Sequence, residues 1–369
     1  MIETVSYTAE LAARLSERIK RDGPITFGDW MNAALYDAAG GYYCRSDQQK
    51  WGREGDYRTS PERSSLFAAT FARYFARLYE NLENPTRWTI VEAGSGDGTF
   101  ASGVLQTLRH SFPDVFAATH YIIDEVSLHS RLLARDRLRP FADRVEFRRL
   151  EDVTVDPGIV FANELLDAFA VHRVTMHNNS LQEFYVEAGA KGNFEWALGP
   201  LSTRRLSEYF AGYDIQLAEG QIAEVNLDIE EWLKKVSNSW CHGYLVIVDY
   251  GADAKELYAS PNRQNGTLRG FQRHQIVADV LARPGEQDLT TTVDWSFVKR
   301  VGQTLGFEVV EYSRQDKFLL GVGVLEQLQM LSQSLDTEAE KLRITTAARE
   351  MILPDGMAAR FQVLVQKKG

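Results

Sequence analysis

The chain has 369 residues, 44% hydrophobic and 25% charged, which fits a soluble globular protein of about two domains and excludes a low-complexity or fibrous chain. Its formal net charge of −10 argues against nucleic acid or an anionic membrane as partner, and no apolar run approaches the ~18 residues of a membrane helix. The two cysteines, Cys44 and Cys241, are too few for a disulfide framework, and no Cys/His spacing reads as a metal site.

The first ten residues, MIETVSYTAE, carry Glu3 and Glu10 and no apolar core, unlike a secretory signal or an acid-poor transit peptide. With the low cysteine count this gives a cytoplasmic expectation. TAELAARLSERI has helical apolar spacing. In ITFGDWMNAALYDAAGGYY, Thr26 and Asp29 make a capping-box pattern, and Gly40-Gly41 are expected to stop the helix. GREGDYRTSPE reads as a loop that ends with Ser60 as N-cap and Pro61 as first residue of a long amphipathic helix, ERSSLFAATFARYFARLYENL.

From Trp88 onward, strands and helices alternate. WTIVEAG, HYIIDEVS, RVEFRRL, GIVFANELL and GYLVIVDYG read as strands one to five. SGVLQTLRHSF and SLHSRLLARDRL read as helices between the first three. Near-continuous apolar strands separated by helices imply a parallel sheet covered on both faces. GFEVVEYSR and RFQVLVQKK add a terminal antiparallel pair. The expected class is therefore α/β and doubly wound, with a helical N-terminal lobe over 1–85 and a main domain over 86–369. Insertions are expected at about 172–240, with hairpin-like QEFYVEAGAKGNFEWAL and a helix at DIEEWLKKV, and at about 252–293. They follow strands four and five, whose carboxyl ends carry the ligand site in such folds.

Between strand one and its helix lies EAGSGDGT. Glycines at Gly94, Gly96 and Gly98 let backbone approach a ligand, but Thr99 stands where the dinucleotide pattern has its third glycine. Glu92, two residues before Gly94, makes an acid-x-G-x-G-x-G string that resembles the first motif of class I methyltransferases. Their donor, S-adenosylmethionine, carries an ammonium, a sulfonium and a ribose diol, all suited to carboxylates. At the end of strand two, Asp124 and Glu125 are candidates for the diol, and Glu125 is preferred because it follows the strand into the crevice. After strand three, Glu151 and Asp152 are candidates near the adenine, and Asp152 is taken. The cofactor set is Glu92, Gly94, Ser95, Gly96, Gly98, Glu125, Asp152 and Asn163, with no metal.

Longer strings extend the likeness. GPITFGDWMNAALYDAAGGYY, GREGDYRTSPE, VEAGSGDGTF, NELLDAFAVHR, VDYG, GTLRGFQRH, PGEQDLTTTVDW and LPDGMAARFQVLVQK resemble the MidA-type methyltransferases over nearly the whole chain. The resemblance implies a Rossmann-like class I methyltransferase fold with an added lobe, S-adenosylmethionine as donor, and arginine in a protein as acceptor. The chain departs from the family at Ser95 and Asp97, where Pro and Arg are usual, at Asn163 before Glu164, where His is common, and at Phe169-Ala170, where Leu-Pro is frequent.

A guanidinium has a pKa above ~12, so an arginine methylase needs carboxylates to grip it and carry off a proton. Glu164 and Asp249, each at the carboxyl end of a strand, are the preferred catalytic acids, with Glu62 after TSP as a third. Glu62 reads equally as a helix-start acid, and Asp167 as a cap. Tyr57, Ser60, Asp167 and Arg269 complete the substrate-side set. Tyr42, Tyr43 and Tyr57 read as channel walls or as packing, and Asp288 as a cap on the Thr290 turn. The functional expectation is N-methylation of arginine in a protein or peptide, by an enzyme whose assembly admits a homodimer. The alternatives are a small-metabolite methyltransferase and a cofactor-binding assembly factor acting by protein contact.

Overall fold

The computed structural model describes residues 7–45, 65–190, 192–240, 242–259, 263–273, 275–353 and 360–369. The chain forms two compact units, one of Arg58–Leu165, Trp232–Gly251 and Lys299–Gly369, the other of Met1–Tyr57, Leu166–Glu231 and Ala252–Val298.

Among the described residues, the first unit is built on seven strands: β1 (Trp88–Ala93), β2 (Thr119–Asp124), β3 (Val145–Phe147), β4 (Gly158–Asn163), β5 (Gly243–Ala252), β6 (Glu308–Arg314) and β7 (Phe361–Lys368). Their order is β6-β7-β5-β4-β1-β2-β3. Strands β1 to β5 are parallel, and β7 runs antiparallel to both β5 and β6. The chain reverses direction across the sheet between β1 and β4, the switch point at which open α/β sheets bind ligands. Ile159, Val160, Phe161 and Ala162 of β4 and Leu245 to Val248 of β5 are wholly buried, as expected of strands covered on both faces.

Helix α1 (Ser65–Asn81) turns an aromatic face to this sheet. Phe71 and Phe75 lie 5.2 and 5.6 Å from Phe161, which stacks on Phe100 at 4.4 Å. Each such ring contributes about 1.5–3 kcal/mol by burial. The compact units thus group residues 65–81 with the sheet, whereas the expected lobe ran to residue 85. Among the described residues, the connection between β6 and β7 carries three helices, Gln315–Val322, Val324–Gln333 and Glu338–Ile352.

The second unit is not the helical lobe the sequence led us to expect. Helices Tyr7–Asp22 and Phe27–Tyr36 share a core with an antiparallel sheet of Ile25–Thr26, His172–His177, Ser180–Ala188, Phe194–Gly199 and Ile222–Val225. Phe27, Trp30 and Leu35 bury themselves against Val171, Val186 and Phe194, so the N-terminal helices depend on strands from the first expected insertion. Thr26 Oγ1 accepts from the Asp29 N–H at 3.0 Å, which caps the second helix. That helix ends at Tyr36, before Gly40-Gly41: the Asp37 carboxylate captures the Ala39 and Gly40 N–H groups and stops it first. Tyr42 is wholly buried in this core, which makes it a packing residue. A three-stranded sheet of Arg269–Gln272, Gln275–Val277 and Asp288–Thr290 completes the unit.

Candidate active site

The loop after β1 is held in a shape that only glycine adopts easily. Gly94, Gly96 and Gly98 have φ of 71°, 56° and 77°. A Cβ on Gly94 would stand 2.9 Å from Leu165 Cδ1, and one on Gly98 would stand 3.0 Å from Ala134 Cβ. Gly98 is the N-cap of helix α2 (Thr99–Ser111). Thr99, which displaces the third dinucleotide glycine, gives its N–H and hydroxyl to Asp97 Oδ1 at 3.0 and 2.7 Å.

Glu125 and the glycine loop are directly linked. Glu125 Oε2 accepts from the Gly96 N–H at 2.9 Å, and Oε1 accepts from the Ser127 N–H at 2.8 Å. Asp124 instead pairs with Arg149 at 3.0 Å. Burial raises the Asp124 carboxyl above its ordinary range, and Arg149 opposes that shift. A cavity of about 260 Å³ is lined by Ile123, Glu125, Arg131, Phe147, Arg148, Arg149 and Asp152. It brings the two expected acids of β2 and β3 together. The three arginines gave no signal in the sequence, because basic residues are frequent on any surface.

Glu92 is 4% exposed and accepts from the Tyr121 hydroxyl at 2.8 Å. Burial pushes its carboxyl up to about 8, and the nearby charges of Glu125 and Asp97 add to the shift. Ser95 is buried, and its Oγ has no hydrogen-bond partner among the described residues. A buried hydroxyl left in this way is costly unless a ligand meets it.

The other side of the site is the turn after β4. Asn163 and Val248 are register partners across β4 and β5, so Glu164, the first residue past β4, and Asp249, within β5, each follow one member of the pair. The Glu164 N–H donates to Val248 O at 2.9 Å, and Glu164 has φ of 50°. Asn163 Nδ2 donates to Glu164 Oε1 at 3.2 Å. Asp249 is wholly buried, and its Oδ1 accepts from the Tyr250 N–H at 2.9 Å. Leu165, beside Glu164, is the residue that closes on Gly94, so this turn borders the glycine loop.

Asp167 and Arg269 belong to the second unit. Asp167 is buried in the turn Leu166–Ala168, where its carbonyl accepts from the Thr291 N–H at 2.9 Å. Arg269 is exposed and opposes Thr290 across two strands. Asp288 does not cap a turn as expected: it lies within strand Asp288–Thr290, and its Oδ1 accepts from the Tyr43 hydroxyl at 2.6 Å. Tyr57, Ser60 and Glu62 lie outside the described residues. Among the described residues no group of three His, Cys, Asp or Glu side chains is arranged to hold a metal ion.

A family model described as S-adenosyl-L-methionine-dependent methyltransferase matches residues 70–313. The protein arginine methyltransferase NDUFAF7 homolog of Drosophila melanogaster mitochondria is 27% identical, over 97% of this chain and 85% of that protein. Its human counterpart, also mitochondrial, is 24% identical over 94% and 81%. A crystal structure from Burkholderia thailandensis, bound to S-adenosyl-homocysteine, superposes with a TM-score of 0.86 at 28% identity, covering 98% of this chain and 92% of the other. The mitochondrial names of the relatives overturn the cytoplasmic expectation. Few cysteines indicate reducing surroundings, which several compartments share, and do not single out one of them.

Proposed function

Because this chain belongs to the MidA-type S-adenosyl-L-methionine-dependent methyltransferase family, with the class I fold and S-adenosyl-L-methionine as methyl donor, we propose that it N-methylates arginine in a protein or peptide. One observation carries the acceptor assignment. Glu164 and Asp249 each directly follow a member of the register pair Asn163–Val248, and Glu164 lies in the turn whose Leu165 stands against Gly94. The relatives named protein arginine methyltransferases support the same reading.

The residues present fit the donor. Glu125 and Asp152 face one cavity, where carboxylates suit hydroxyl and amino groups. The buried Ser95 hydroxyl supplies a further polar contact within the glycine loop. When bound, the sulfonium supplies an already activated methyl group. The protein is left to align the acceptor nitrogen and exclude water. Glu164 and Asp249 accept guanidinium N–H groups, which orients the plane and localises a lone pair on the attacking nitrogen. As that nitrogen gains its methyl, it releases one proton to a carboxylate.

The test is incubation of the protein with tritium-methyl-labelled S-adenosyl-L-methionine and a mitochondrial extract, followed by size fractionation. Label should enter protein and yield methylarginine on acid hydrolysis. Label confined to small molecules would overturn the arginine reading in favour of a metabolite acceptor. Cofactor binding without label on any protein would favour the assembly-factor reading.

A further inference from the structure

The β4 turn carries more than a carboxylate. Asn163 Nδ2 donates to Glu164 Oε1 at 3.2 Å, while Asn163 Oδ1 is buried with no hydrogen-bond partner among the described residues. Only one orientation of the amide fits, since the flipped group would set two acceptors against each other. The backbone is equally constrained. Glu164 has φ of 50°, and its N–H is held by Val248 O at 2.9 Å. A glutamate in the left-handed region is uncommon, and it persists where its neighbours over-determine it. The carboxylate is thus fixed through its own backbone and through the adjacent amide.

This arrangement has a consequence for what binds. A carboxylate oxygen and an amide oxygen side by side both accept hydrogen bonds. A guanidinium is planar, with five N–H donors in a rigid fork and no acceptor, whereas an ammonium concentrates three donors on one point. Two acceptors held in fixed directions match the fork better than the point. The amide oxygen is neutral, so it orients an N–H without competing for the proton that the carboxylate receives. We infer that Asn163 is a positioning residue that locks Glu164 through Nδ2 and presents Oδ1 as a second acceptor, so that the site selects a guanidinium over an ammonium. This inference rests on the arginine reading above.

The test uses the full chain saturated with S-adenosyl-homocysteine and titrated with Nα-acetyl-argininamide or Nα-acetyl-lysinamide. The Glu164 carboxyl is followed in parallel by carbon NMR on glutamate labelled at that carbon. The wild type should prefer the arginine probe by about ten-fold or more, and Asn163→Ala should bring the ratio close to one. The same variant should raise the Glu164 midpoint by roughly half a pH unit or more, because the ionised form loses a donor. A far-ultraviolet dichroism spectrum and a denaturant midpoint matching the wild type show that the variant is folded. Should Asn163→Ala not fold, the isosteric Asn163→Asp carries the midpoint measurement, with a larger rise from the like charge. An unchanged probe ratio or an unmoved Glu164 midpoint overturns the inference. A wild type that binds no arginine probe refutes the arginine reading itself, and the clamp with it.

Discussion

Gly96 and Glu125 are joined by a 2.9 Å hydrogen bond from the loop N–H to the carboxylate, so one acid both supports the glycine loop and lines the adjoining cavity. Glu125→Ala removes both contributions. It should weaken S-adenosyl-L-methionine by roughly 1–3 kcal/mol, the range for a hydrogen bond to a charged group. Asp124→Ala should cost less cofactor affinity, because Asp124 is engaged with Arg149 instead. Calorimetry that ranks the two variants in the opposite order would show that the diol partner is Asp124.

Replacing Gly96 by valine tests the loop itself. The position has φ of 56°, a region that a β-branched residue enters only under strain. The loop must then shift, taking the Gly96 N–H away from Glu125. Affinity for S-adenosyl-L-methionine should fall by at least ~2 kcal/mol in a protein whose far-ultraviolet dichroism is unchanged. Equal binding in folded Gly96→Val would refute close backbone approach at this glycine.

Much of this geometry could be read in the sequence, for identifiable reasons. The strands β1, β2, β4 and β5 are buried on both faces, so they show as apolar runs, and the acids that follow them can be counted off. Glu125 and Asp152, which line one cavity, can be picked out this way as candidates, from their order along the chain. The missing parts depend on pairings that no local period encodes. Tyr43 and Asp288 meet across 245 positions, and Arg149 reaches back to Asp124 from the next strand connection. Ile25–Thr26, which joins the N-terminal helices to the antiparallel sheet, has only two residues, too few for alternation to appear. The Asn163–Glu164 contact joins sequence neighbours, yet it depends on a positive φ at a residue whose identity does not announce one.

Glu92 gives a pH signature. Burial raises its carboxyl from 4.5 to about 8, so the folded, cofactor-free chain keeps a proton that the unfolded chain has lost. Through this group, stability is undiminished below about 4.5, falls as pH rises toward about 8, and then levels off. Glu92→Gln keeps the shape and removes the titration. Denaturant unfolding at pH 5 and pH 8 should show the wild type losing on the order of 3–5 kcal/mol more than the variant between the two conditions. Parallel losses in both proteins would mean that Glu92 is ionised in the fold at neutral pH.

The strongest demand falls on Glu164 and Asp249. Each follows a member of one register pair on adjacent strands, and Leu165 sets the Glu164 turn beside Gly94. Glu164→Gln and Asp249→Asn preserve size while removing charge. Neither acid is assigned to the adenosine, so S-adenosyl-L-methionine affinity should change by less than ~0.5 kcal/mol in each, about two-fold in Kd. Turnover is different. A carboxylate that orients the guanidinium and takes its proton contributes typically ~10²–10⁴-fold, so each variant should lose at least about a hundredfold in kcat on a methyl-accepting arginine peptide. The double variant should lose less than the product of the two single effects, because groups acting on one nitrogen do not contribute independently. Retained turnover in both single variants, with cofactor binding intact, would remove these acids from the chemistry. Loss of cofactor binding along with turnover would place them at the donor instead of the acceptor.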